Sequence, residues 1–151
     1  MKDKAIELYG DQEDDLAVFR SNLSDVEAVE TMDDEKQNLI IFDDFINEKN
    51  QSVVDDYFTM GRKKNCSVIY ISHSYFDTPR SLRLNSDYIA LFKFNNKGEI
   101  SNFKREFPLD ISNEEFAKKY RDCIKTKHGF LFIDKNASDP NLRYRKNLDN
   151  K

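Results

Sequence analysis

Two carboxylates stand side by side at the end of an apolar run. The segment NLIIFDDF, Asn38 to Phe45, places Asp43 and Asp44 directly after Leu39, Ile40, Ile41 and Phe42. Such a pair suits magnesium-nucleotide chemistry, in which one carboxylate holds a hydrated Mg²⁺ and the next polarises an attacking water. It equally suits a chain turn that caps whatever follows, and the residues alone leave both readings open. A second polar cluster, Ser72, His73 and Ser74, closes the apolar run that begins at Ser67 (SVIYIS). His73 taken singly reads as a satisfied polar residue at a strand end. Arg62, with Lys63 and Lys64, reads as a helix end that favours positive charge.

The elements that must position these residues follow from periodicity. Asn38 to Phe42 is too short for a helix and apolar on both faces, as a buried parallel strand is. Asn50 to Arg62 carries Val53, Val54, Tyr57, Phe58 and Met60 near helical spacing and stops at Gly61, the pattern of a crossover helix. Ser67 to Ser72 repeats the strand pattern, and Thr78 with Pro79 marks the start of a short helix. Asp87 to Phe94 (DYIALFKF) is a third strand, Asn96 to Gly98 a turn, and Ser112 to Lys125 a helix opened by the capping box SNEE. Gly129 to Ile133 is a fourth strand, and residues 135–151 form a polar tail. Upstream, apolar residues between Asp11 and Val29 suggest one or two short helices, with Ser24 a cap of the second. This alternation predicts an α/β fold with a mostly parallel sheet flanked by helices. Ligands bind beyond the carboxyl ends of such strands, so the two polar clusters are expected to share one crevice.

The length of 151 residues fits a single domain. A net charge of −4 gives no bulk field toward nucleic acid, so any such contact is local or belongs to an assembly. Acids crowd the N-terminal third (YGDQEDDL, TMDDE), whereas GRKKN, FKRE and RYRKN bring basic residues later, which permits a basic face. The two cysteines, Cys66 and Cys123, lack a CxxC partner and suggest a reduced intracellular chain. Neither a signal peptide nor an apolar run of about 18 residues is present, so no membrane association is expected.

The order NLIIFDD, a helix ending TMGRKKN, then CSVIYISHSYF and RSLRLNSDYIALFKF resembles the second half of a HerA/FtsK-type P-loop ATPase. It is most similar to the genome-packaging ATPases of poxviruses and other large DNA viruses, of virophages and of Polintons. The resemblance runs from about Phe19 to Tyr144 and is most specific from Leu39 to Lys93. It implies a RecA/ASCE-like sheet, with ATP and Mg²⁺ as cofactors. Asp43 would be the Walker B aspartate that holds Mg²⁺ through water, and Asp44 the water-orienting acid. His73 would be the polar sensor of the γ-phosphate, with Ser72 beside the nucleotide. Arg62 would reach a neighbouring subunit's nucleotide, and Arg83 and Asn85 match a second polar element of the packaging group. The implied partners are double-stranded DNA, further copies in a homo-oligomeric ring, and capsid or portal proteins. The implied location is the host cytoplasm or virus factory, or the virion.

One part of that pattern is missing. No stretch reads G-x-x-x-x-G-K-[ST], and none of Gly10, Gly61, Gly98 and Gly129 is followed by Lys-Ser or Lys-Thr. The chain therefore looks like the Walker B and sensor half of a DNA-translocating ATPase, an enzyme only if a Walker A segment from upstream completes it. The alternative is a non-catalytic binding or regulatory module that keeps the fold. A metal-dependent nuclease built on Asp43 and Asp44 is disfavoured, because no further acid cluster is evident to hold its metals. The resemblance also implies that the strand leading into the phosphate loop would lie between SVIYIS and DYIALFK. Without it those two strands are expected to be separated or re-paired, with exposed edges that invite association.

Overall fold

The computed structural model describes residues 18, 20–45, 51–94, 97–107 and 110–149. The expected element from Asp11 lies partly outside them, and Asn96 of the expected turn lies outside them. The chain divides into two compact units, Met1–Ile71 and Ser72–Lys151.

In the first unit, 3-10 turns at Leu23–Asp25 and Val29–Thr31 lead to strand β1, Asn38–Asp43. Ser24, expected to cap the second of these, lies inside the first, and Ala28 takes the cap position of the second. Helix α1 spans Ser52–Met60, passes into a 3-10 turn at Gly61–Lys64, and is followed by β2, Cys66–Ile71. The α-helix stops at Gly61, as expected, and the 3-10 turn that follows ends where Asn65 takes the left-handed conformation (φ 49°). Gly61 serves close packing, since a Cβ there would stand 3.3 Å from Val68 and 3.4 Å from the Cys66 carbonyl oxygen. β1 and β2 pair in parallel from Asn38↔Cys66 to Asp43↔Ile71. One face of the pair is packed: Phe42 is buried and meets Tyr57 of α1 edge-on at 5.7 Å, while the Tyr57 hydroxyl donates to the Glu27 carbonyl oxygen. The other face is bare.

The second unit is built on an antiparallel sheet, β3 (Tyr88–Leu91), β4 (Leu131–Asp134) and β5 (Tyr144–Lys146), in the order β3-β4-β5. Helix α2 covers Arg80–Asn85, α3 Lys97–Glu106, α4 Asn113–Cys123 and α5 Pro140–Arg143. The protein is thus α/β, but the strands expected to extend one parallel sheet form a separate antiparallel one, and β2 and β3 are not neighbours. The reason lies in α3. A single helix between two strands returns the chain for parallel pairing; a second helix reverses it once more, so β4 arrives antiparallel to β3. A turn was expected where α3 begins, because Gly98 breaks the pattern. Ile100, Phe103 and Phe107 nevertheless present one apolar face, and Phe103 is fully buried.

Of the two helix starts expected in this unit, the one at Ser112 is used as expected and the one at Thr78 is not. Ser112 does cap α4, its side chain accepting the Glu115 N–H at 3.1 Å. The Thr78 hydroxyl donates to the Ser74 carbonyl oxygen, and Pro79 takes the cap position of α2. The core joins Leu91, Phe103, Phe116, Tyr120, Leu131, Ile133 and Tyr144. Gly129 lets the chain leave α4 closely, for a Cβ there would overlap the Cys123 carbonyl oxygen and the Thr126 side chain. The polar segment after β4 carries α5 and β5, and it is anchored through Asp110. That carboxylate accepts from the Tyr144 hydroxyl and pairs with Arg143, each at 2.6 Å.

The Tyr144 hydrogen bond, with the Arg143 charge adding to it, holds Asp110 below the usual carboxylate range. A folded-state pKa below the unfolded value of about 3.9 means stability that is present above pH of about 4 and lost as pH falls through the folded value. Tyr144→Phe is therefore expected to lower stability by about 1 kcal/mol at neutral pH and by less in acid. Urea unfolding of both proteins at pH 7 and pH 3 measures this; an equal difference at the two pH values would disprove the linkage.

Candidate active site at the end of the parallel strands

Parallel pairing brings the carboxyl ends of β1 and β2 to one edge. Asp43 is in register with Ile71, and the Asp44 N–H donates to the Ile71 carbonyl oxygen at 3.0 Å, one rung beyond the ladder. At that rung the backbone turns left-handed, with φ of 59° at Asp44. An L-residue other than glycine adopts that conformation at a cost of about 1–2 kcal/mol, least for Asp and Asn. The turn has a consequence for the pair. In a continuing strand, adjacent side chains point to opposite faces; here the alternation ends at Asp43, and both carboxylates are exposed at one corner. Asp43 shares its face with Leu39 and Ile41.

No group of three or more His, Cys, Asp or Glu side chains is poised to hold a metal among the described residues. One or two carboxylates are still an adequate protein share for Mg²⁺, which keeps several waters and takes its other ligands from phosphate oxygens. The donor set therefore fits a nucleotide-bound Mg²⁺ and does not fit an all-protein metal cage.

The other expected site residues fall in three places. Ser72 and His73 follow β2 and open the second unit. The Ser72 hydroxyl is engaged locally, donating to the Ser74 carbonyl oxygen at 2.6 Å and accepting the Ser74 N–H at 3.1 Å, while His73 is exposed. Arg62 is exposed in the 3-10 turn before β2. It stands at the amino edge of the strand pair, and the length of β2, about 16 Å at the usual rise per residue, separates that edge from the acids. Arg62 is thus too far along the strands to serve the acids of its own unit. Arg83 and Asn85 belong to α2 of the second unit. Asn85 is exposed, whereas Arg83 is engaged in packing: its Nη1 lies 2.7 Å from Glu106 Oε2 of α3, and its guanidinium stands over Tyr75 and Phe76 at 5.0 and 5.4 Å. Burial, with the Glu106 charge, pushes the Tyr75 phenol up to about 12. Glu106 lies 23 residues from Arg83, and no spacing rule in the sequence singles it out.

Both cysteines are free and buried, and burial raises both thiols. Among the described residues, no helix is long and apolar enough to cross a membrane. Comparison with protein-family models, curated proteins and solved structures gives no match.

Proposed function

We propose that this chain supplies the Walker B and sensor strands of a HerA/FtsK-type DNA-packaging ATPase, and that a polypeptide segment outside its 151 residues supplies the phosphate-binding loop. The observation that carries the reading is the corner itself: two parallel neighbours with Asp43 and Asp44 exposed together at their carboxyl edge. The bare face of the same strands adds support. Leu39, Ile41, Ile69 and Ile71 are 60, 52, 45 and 48% exposed. Parallel strands ordinarily have both faces covered, so this aliphatic face fits a missing layer of the same α/β sheet.

In the proposed site Asp43 orients the water shell of a nucleotide-bound Mg²⁺, and Asp44 accepts a hydrogen bond from the attacking water. Bound Mg²⁺ would neutralise charge on the β- and γ-phosphates. Ser72 and His73, just beyond β2, are the proposed contacts toward the nucleotide. Arg62, at the far edge, is proposed to act on a neighbouring copy's nucleotide, where a guanidinium stabilises developing charge. The assembled motor would be a ring that pulls double-stranded DNA into a capsid through contacts with portal or capsid proteins. A second reading, a P-loop-derived binding module without hydrolysis, is favoured by the antiparallel sheet of the second unit, which departs from the P-loop sheet.

Phosphate release separates the two readings. The purified chain is expected to show background turnover only, because no loop amides or lysine anchor the phosphates. Turnover that survives repurification and vanishes in Asp44→Asn would overturn the missing-loop argument. Co-expression with a G-x-x-x-x-G-K-[ST] segment encoded upstream or by a neighbouring gene is expected to restore hydrolysis that depends on Asp44. Stable association without turnover would favour the module.

A further inference from the structure

The face of the β3-β4-β5 sheet opposite the core differs in kind from the aliphatic face of the first unit. Strand alternation and register place Tyr88, Ala90 and Phe92 beside Asp134, Phe132 and Phe130, with Arg145 next to Phe132. The rings form two pairs, Tyr88 with Phe132 at 5.6 Å and Phe92 with Phe130 at 5.0 Å. The Arg145 guanidinium lies 4.8 Å from the centre of the Phe132 ring. Tyr88 and Phe92 are 58 and 53% exposed, far more than packed aromatic residues show.

Charge is distributed unevenly along this face. Asp87 and Asp134 lie at the Tyr88 end, where Asp134 stands 3.9 Å from Arg145. At the Phe92 end the surface drops into an open depression of about 390 Å³, whose walls include Phe92, Lys93, Lys125, Lys127, His128 and Gly129. Lys125 is turned toward Asp122 at 2.7 Å. Lys93 and Lys127 are exposed, so this end is cationic in a chain whose net charge is −4. Two exposed rings, Tyr88 and Phe92, each backed by a less exposed ring, together with a lysine-bearing rim are the parts from which single-strand platforms are made: bases stack on the rings and cations track the backbone. A duplex hides its base faces from such a surface, and an apolar protein partner has no use for the rim charge.

We propose that this sheet face binds single-stranded nucleic acid, with unpaired bases stacked on the exposed rings of Tyr88 and Phe92 and the phosphate backbone led across Lys93 and Lys127. The inference is independent of the hydrolysis reading, because it uses none of the residues at the parallel-strand corner.

Fluorescence anisotropy of the full chain with labelled oligonucleotides of about 12 residues, within the usual range of single-strand site sizes, tests it. Deoxy- and ribo-oligonucleotides in separate arms identify the sugar, and a duplex of the same sequence is the comparison. Expected are saturable binding of the single strand, weaker binding of the duplex, and affinity that falls with salt. Phe92→Ala should weaken binding by about 5- to 150-fold, the effect of losing one stacked base, and Phe92→Tyr should retain it. Lys93→Gln with Lys127→Gln should lower the salt slope by about 1.4, from two phosphate contacts on a single strand. Thermal melting of each variant shows that the fold survives. Absence of binding at low salt, preference for the duplex, or affinity unchanged in a folded Phe92→Ala variant would each overturn the proposal.

Discussion

In the assembly completed by a phosphate-binding loop, Asp44→Asn is expected to lower ATP hydrolysis by about 10²- to 10⁴-fold while nucleotide affinity stays near that of the parent. The asparagine keeps the volume of the side chain and its place at the left-handed turn, which Asn tolerates as readily as Asp. What it loses is the charge that orients and polarises the water. Asp43→Ala is expected to behave in the opposite sense, weakening Mg²⁺-nucleotide binding as well as turnover, because it removes the carboxylate proposed to hold the ion's water shell. Titration with a fluorescent nucleotide, with and without Mg²⁺, and steady-state phosphate release separate the two. Near-parental rates in both variants would reject the division of labour. Arg62 adds a geometric test, since it stands a strand length from its own acids. If it acts across a subunit boundary, mixing Arg62→Ala with Asp44→Asn should recover part of the activity that each lacks alone.

Legibility of this fold in the sequence tracked the locality of each signal. β1 and β2 were readable from five or six adjacent residues, and their parallel pairing from the helix between them. The start of α4 was readable because Ser112 and the Glu115 N–H lie three residues apart. α3 was hidden by Gly98 in its first turn and by its many charges. That one omission propagated, for a missing helix reverses the inferred sense of β4. The corner at Asp43 and Asp44 was visible as two letters, but the left-handed backbone at Asp44 was not, because Asp occupies several conformations with little difference in energy. The run DYIALFKF is legible as a strand that is apolar on both faces, but its alternation of Tyr88, Ala90 and Phe92 against Ile89 and Leu91 acquires meaning only once β4 supplies Phe130 and Phe132 beside it. Arg83 was matched to a polar element of a site, yet the carboxylate and rings that engage it come from two other segments of the chain.

Arg83→Ala is accordingly expected to destabilise the protein by about 3–5 kcal/mol, among the largest effects available to a single substitution in this chain. The side chains of Arg83 and Glu106 are 10 and 23% exposed, so water screens the pair poorly. Removing the guanidinium would leave the Glu106 carboxylate half enclosed beside the Tyr75 phenol, with no cation to offset its desolvation, and would open a gap over the rings of Tyr75 and Phe76. Arg83→Lys should recover only part of the loss, because an ammonium carries the charge but does not stack as the planar guanidinium does. Replacing both partners, Arg83→Met with Glu106→Leu, should be far milder than Arg83→Ala, since it removes both charges and keeps most of the volume. Urea midpoints at constant slope measure all three variants; an Arg83→Ala change within about 1 kcal/mol would mean that the pair is open to solvent and contributes little. The double variant also decides what Arg83 does. If its work is to tie α2 to α3, the folded Met/Leu protein should hydrolyse ATP normally once supplied with a phosphate-binding loop. A protein that folds as well as the parent and fails to hydrolyse would assign Arg83 to the chemistry.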